Sequence, residues 1–156
     1  MEEFNDNVLI THKEYKRIEL QILLDSKVPK GTWRAGYANT ENDICLFITN
    51  DKSHIMQENL KYDNSLHSDK IIQWISQPKT YHSSSVGQMF IRHREKKMKV
   101  HIFARKYAFM NGNKTNPFIY LGQADYHKSF GDKPMTILWK LHRKLPQELI
   151  QELYKL

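Results

Sequence analysis

The stretch from Trp74 to Arg105, WISQPKTYHSSSVGQMFIRHREKKMKVHIFAR, concentrates the residue types that hold anions. Between Lys79 and Tyr107 stand eight bases (Lys79, Arg92, Arg94, Lys96, Lys97, Lys99, Arg105 and Lys106) and one acid, Glu95, a balance of +7. That equals the net charge of the whole chain, so the remaining bases and acids cancel. A local cationic stripe on a neutral body is the electrostatic footprint of something that holds a polyanion. Hydroxyls (Thr80, Ser83, Ser84, Ser85), amides (Gln77, Gln88) and aromatics (Trp74, Tyr81) lie beside it. Such groups hydrogen-bond phosphate oxygens or stack on bases. The candidate contacts to a phosphate backbone are therefore Lys79, Thr80, Ser83, Ser84, Ser85, Arg92, Arg94, Lys96, Lys97 and Lys99. A plain solvated face is the competing reading of the stripe.

Aromatics supply the second kind of chemistry. Trp33, Tyr37, Tyr62, Trp74 and Tyr81 fall in or beside loop and turn segments, while Trp139 and Phe103 read as core. A pocket that takes a flipped base needs aromatic faces to stack it and an acceptor to read its edge. The pair Tyr62-Asp63 offers both, since a carboxylate accepts from the cytosine N4 amino group. For each aromatic taken alone, packing is the simpler role.

Other chemistries lack their residues. The chain has no G-x-x-x-x-G-K, no G-x-G-x-x-G and no G-x-S-x-G. Its eight histidines are scattered singly and its one cysteine, Cys45, lies in the apolar run ICLFI. Clustered zinc ligands are missing, and the stripe contains no carboxylate cluster for a metal-dependent nuclease. The expectation is a non-catalytic domain without cofactor or metal. No run near 18 apolar residues is present, so no membrane partner is expected. The acidic start MEEFNDNVLI is not a signal peptide. With one cysteine, a reducing cytoplasmic setting fits.

A chain of 156 residues at 40% apolar composition reads as one globular domain, 1–156. Thr11-His-Lys-Glu14 resembles a capping box, with a helix over 12–24 whose inner stripe is Tyr15, Ile18, Ile22 and Leu23. The outer face carries Lys13, Lys16 and Arg17, read as solvated. Strands are expected over 31–38 and 44–49, then a long excursion over 50–67 and a short apolar segment over 71–76. Ser84 or Ser85 caps a second helix, with Val86, Met89, Phe90 and His93 facing the core. Residues 98–105 alternate as a half-buried strand, with Met98, Val100, Ile102 and Ala104 inward. Residues 110–116 form a hairpin-type connection. Strands over 117–124 and 134–141 flank a polar loop over 125–133, and Pro146 opens a last helix. Runs of antiparallel-looking strands with few helices indicate α+β, a curled sheet or small β-barrel with flanking helices.

Several stretches together resemble one family: Cys45 to Thr49, Lys61-Tyr-Asp63, Trp74-Ile-Ser-Gln77 with Lys79-Thr80, Val100 to Arg105, Phe118 to Gly122 and Lys133-Pro-Met135. They are similar to the C-terminal domain of SauUSI-type, modification-dependent (type IV) restriction enzymes, and span about Glu14 to the C-terminus. In that family the domain follows a phospholipase-D-like nuclease and a superfamily II helicase and resembles SRA modules. The resemblance implies an SRA/PUA-like fold that flips and reads 5-methylcytosine or 5-hydroxymethylcytosine in double-stranded DNA. It implies that nuclease and helicase domains of a longer bacterial chain are its partners and that this chain is excised from it. It implies a base pocket in which Tyr62 stacks, Asp63 fixes the N4 edge, and Trp74 and Ser76 form the wall. The eukaryotic pattern has a longer acidic run after the tyrosine, missing here, so Tyr37, Trp33 or Phe47 compete for the stacking role. Two other functions are weighed against this one: a modification-independent nucleic-acid module feeding a helicase, and a domain that docks protein subunits.

Overall fold

The computed structural model describes residues 9–24, 36–50, 66–110 and 114–154. Among these, seven strands form one sheet. They are β1 (Glu14–Tyr15), β2 (Tyr37–Asn39), β3 (Asp43–Thr49), β4 (Ile71–Ile75), β5 (Lys99–Arg105), β6 (Phe118–Phe130) and β7 (Thr136–Leu141). The helices are α1 (Arg17–Leu24), α2 (Ser85–Ile91) and α3 (Gln147–Tyr154). The strand order is β2-β3-β5-β6-β7-β4, with β1 paired to β6 off that path. Most pairs are antiparallel, but β3 and β5 run parallel, joined by a crossover that contains β4 and α2.

β6 is the spine. Its first half pairs with β5 and β1, its second with β7. A bulge opposite Ile102 and Phe103 contains Gly122 at φ 109°, a conformation that disfavours any side chain. Through it, Leu121 and Ala124 both face the main core. A second irregularity lies between Tyr126 and Lys128. Residues 125–130, expected as loop, are strand. Their side chains are partly exposed or exposed and mostly polar, so no apolar alternation marks them.

The sheet is buried on both faces. Ile44, Leu46, Ile48, Val100, Ile102 and Ala104 join Trp74, Phe90, Trp139 and the inner side of α3 (Leu149, Ile150, Leu153) in the main core. The opposite face carries Cys45, Phe47, Phe103, Phe118 and Tyr120 under α1, with Leu9, Tyr15 and Leu20. So β5 is not half-buried: Phe103 and His101 are as enclosed as Ile102. Fully burying each such large apolar side chain contributes about 1.5–3 kcal/mol.

α1 is shorter than its periodicity suggests. Glu14 and Tyr15 are drawn into pairing with Ile119 and Phe118. The helix opens at Arg17, and Glu19 accepts the Lys16 N–H at 2.7 Å, a cap five residues later than expected. The shift rotates the stripe. Leu20 and Gln21 are buried, while Ile18, Ile22 and Leu23 are exposed.

Candidate nucleic-acid interface

The hydroxyl-rich loop is braced before it is exposed. Ser84 Oγ accepts the Gly87 N–H at 3.1 Å and the Tyr81 N–H at 3.3 Å and donates to the Tyr81 carbonyl at 2.6 Å. It is the N-cap of α2. Helix and loop pack so closely that a Cβ on Gly87 would stand 2.1 Å from the Tyr81 carbonyl oxygen. Gln88 donates to the His82 carbonyl. Asp132 accepts from the His82 backbone and ring, and the second ring nitrogen meets Ser129 Oγ at 2.8 Å. These bonds from His82 hold the Asp132 carboxyl below its ordinary value. The Lys133 N–H donates to the Thr80 carbonyl, and its ammonium lies 5.1 Å over the Tyr81 ring. The loop is thus tied to the β6–β7 hairpin, leaving Lys79, Ser83 and Ser85 exposed. Thr80 is buried, and the Ser84 hydroxyl serves the helix cap.

The other end of α2 carries the cations. Lys96 and Lys97 N–H groups donate to the Arg92 and Arg94 carbonyls, and Met98 N–H to His93. Lys97 closes the turn at φ 58°, in the left-handed region. Beneath it His93 is buried. Its Nδ1–H donates to the Met98 carbonyl at 3.0 Å and its Nε2 accepts the Tyr126 N–H at 3.1 Å. That pair of partners assigns the neutral Nδ1–H tautomer. Burial correspondingly lowers the imidazole pKa, against partial support from Met98 and Asp125. Arg92 pairs with Glu95 at 2.7 Å, so the one acid of the stripe is engaged. Arg94, Lys96 and Lys97 stand exposed. An open cleft of about 550 Å³ between Ile91, Arg92, Arg94, Glu95 and Tyr126 adjoins them. Helix α2 is short, about 10 Å at 1.5 Å per residue, so cations and exposed hydroxyls flank one element.

The stripe is not spatially continuous. Lys99, the first residue of β5, is only partly exposed, and its backbone N–H donates to the Asn42 carbonyl. Arg105 and Lys106 lie about 20 Å away at the strand's far end, at ~3.3 Å per residue. The +7 of the sequence is therefore two basic regions.

Of the expected base-pocket residues, Trp33, Tyr62 and Asp63 lie outside the described residues. The structure brings Tyr37 and Trp74 together around Phe90. Tyr37 meets Phe90 edge-on at 5.3 Å and Trp74 at 6.5 Å between ring centroids. Tyr37 is half-buried, and burial raises its phenol pKa. Trp74 and Ser76, for which the resemblance implies a pocket wall, are both buried. Trp74 is 1% exposed in the main core. Ser76 Oγ accepts the Met135 N–H at 2.9 Å and donates to the Gln77 carbonyl, joining β4 to β7. Phe47, the other stacking candidate, is buried against Phe103 and Phe118 on the opposite face.

Two arrangements were not anticipated. His101 bridges Asp43 Oδ1 and the Tyr120 hydroxyl, each at 2.8 Å, a buried chain across β3, β5 and β6. Its only trace in the sequence is a polar residue inside an apolar strand. The second is the gathering of Arg17 and Arg105 on Phe118, which their separation in the chain conceals. Among the described residues no three His, Cys, Asp or Glu side chains converge as metal ligands, and no helix is long and apolar enough to cross a membrane.

A curled mixed sheet, covered by helices on both faces and fringed by a basic turn, defines an α+β domain of the SRA-like kind. The chain belongs to the family of the domain of unknown function DUF3427, whose model matches residues 9–153. No curated protein matches it. Two crystal structures of Arabidopsis thaliana SUVH6 in complex with SAM share the fold. One aligns with a TM-score of 0.52 at 15% identity over 89% of this chain, the other with 0.51 at 14% over 92%. The chain spans 27% of the SUVH6 chain in each. At that identity the likeness is one of fold.

Proposed function

We propose that this domain reads modified cytosine, 5-methylcytosine or 5-hydroxymethylcytosine, in double-stranded DNA by base flipping. In this reading it is the non-catalytic targeting module of a type IV restriction enzyme, with nuclease and helicase activities in other domains of a longer bacterial protein. The observation that carries the reading is an SRA-like sheet whose fringe holds an exposed cationic turn, Arg94, Lys96 and Lys97, beside exposed hydroxyls. Phosphate contacts there supply affinity that is independent of sequence and falls steeply with salt. Discrimination would come from the pocket. One methyl in an apolar pocket is worth about 1–3 kcal/mol, or roughly 10–200-fold, and must be set against the few kcal/mol that flipping costs. Tyr62 and Asp63 are assigned the stacking and N4-reading roles, with Tyr37 and Trp33 as the other aromatic candidates.

The test is fluorescence polarisation on two short duplexes at one salt concentration, identical except for the 5-methyl groups. Tighter binding of the methylated duplex by tenfold or more supports the reading; equal binding ends it. Asp63→Ala is expected to remove the preference while the fold is retained. The interior positions of Trp74 and Ser76 favour a second reading, a module that grips nucleic acid regardless of modification. Equal affinity for methylated duplex, plain duplex and RNA is its signature.

A further inference from the structure

We propose that the cleft between the start of α1 and the end of β5 is a separate anion site that takes one phosphate ester. This goes beyond the reading above and does not depend on methyl recognition. The cleft holds about 380 Å³ and is lined by Lys16, Arg17, Ile18, Arg105, Asn116 and Phe118 among others. Arg105 lies 4.1 Å over the Phe118 ring, and Arg17 lies 5.2 Å from the same ring and 4.4 Å from Phe47. Both groups line one cleft, the Arg105 charge acts on Arg17, and both are partly withdrawn from solvent. Burial and the Arg105 charge bring the Arg17 pKa down to about 10, which leaves it cationic at neutral pH, and burial lowers that of Arg105.

The chemistry favours an anion between them. Arg105 spends Nε–H on Thr49 Oγ1 at 2.8 Å and an NH1 proton on the Asn116 carbonyl at 2.9 Å. Both are neutral oxygens, so the bonds fix the fork without neutralising it. A guanidinium has five N–H donors in a plane that suits phosphate oxygens. An adjoining cleft shares Arg105 and Asn116 but is lined by Glu14 and Glu152. Those carboxylates repel an anion from the adjoining cleft. The volume exceeds a bare phosphate, and Ile18 and Phe118 provide apolar surface for the rest of an ester. A phosphodiester of a nucleic-acid strand and the phosphate of a free nucleotide share this chemistry.

The experiment follows the guanidinium Nε–H signals of Arg17 and Arg105 by NMR. Inorganic phosphate, deoxycytidine 5′-monophosphate and an unmodified duplex are titrated against chloride at matched ionic strength. A saturable shift at both signals is expected. A shift with the mononucleotide identifies a free phosphate ester as sufficient; a shift with the duplex alone identifies a phosphodiester. Ile18→Glu puts a carboxylate at the cleft from a position that is 46% exposed, where the fold tolerates it. It should weaken the response tenfold or more, and Arg17→Gln should do the same. The proposal is overturned by no saturable shift with any probe, or by an unchanged response in folded Ile18→Glu.

Discussion

The two ends of β5 hold the same kinds of residue and treat them oppositely. Beyond its first residue lies the turn of Arg94, Lys96 and Lys97, held by backbone bonds and exposed. At its last residue Arg105 is bonded, stacked and half-withdrawn from water. Charge alone does not separate these regions; desolvation does. The charge of an exposed lysine stays hydrated and interacts with anions through a screened field, so its effect sums with its neighbours and fades with salt. A withdrawn guanidinium is positioned by the fold and responds to one ligand at short range. The first end suits a long polyanion, the second a single group.

Variants break or sharpen that contrast. The largest effect belongs to the core that carries the exposed end. Trp74→Ala should cost about 3–5 kcal/mol, as aromatic truncations in cores do, measured by chemical denaturation. A loss below 1 kcal/mol would mean that Trp74 is not the packing residue its 1% exposure indicates. Next comes the turn itself. Lys96→Ala with Lys97→Ala should leave core stability unchanged, weaken methylated and plain duplexes alike by about tenfold and reduce the salt slope by about 2. A loss confined to the methylated duplex would remove these lysines from the phosphate role.

The strands of high apolar content were legible because β3 and β7 are continuous runs, and α2 because its cap and its stripe agree. The start of α1 was not. A capping pattern at Thr11 competes with strand pairing of Glu14 and Tyr15, and long-range pairing is invisible to local spacing. The second half of β6 was hidden for a related reason: its partner is β7, and its side chains are mostly polar and at least partly exposed. The stripe's composition was readable, but its division between the two ends of β5 depends on strand length and burial. The partners of Trp74 and Ser76 were not readable either: the ring meets Tyr37 and Phe90, and the hydroxyl joins two strands, contacts that local spacing does not reveal.

His93 links the exposed turn to pH. Its folded-state pKa is depressed below 6.5, chiefly by burial, with Asp125, Arg94 and His142 as the charged or titratable groups that act on it. As pH falls through 6.5 the unfolded chain takes up this proton before the folded one does. The His93 contribution is therefore constant above neutrality and turns destabilising as pH falls from 6.5 toward the depressed value. Denaturation midpoints at pH 7.5 and 5.5 should separate more for the wild type than for His93→Gln. Equal separations would show that the ring is not held neutral by Met98 and Tyr126.

The smallest expected effect isolates charge from conformation at Lys97. Its φ of 58° is a left-handed geometry that costs a non-glycine residue about 1 kcal/mol or more. The Lys97 N–H is bonded to Arg94, so the turn is fixed by its neighbours and not by the lysine side chain. Lys97→Gly should thus raise stability by about 0.5–1 kcal/mol, less than the full strain because glycine also loosens the unfolded chain. The same variant should lose DNA affinity as Lys97→Ala does, since both delete one cation. Stability rising while affinity falls is a combination that a structural role for the lysine cannot produce. If Lys97→Gly instead loses stability, the side chain braces the turn, and the contrast between an exposed and a withdrawn end of β5 has to be redrawn around Arg94 and Lys96.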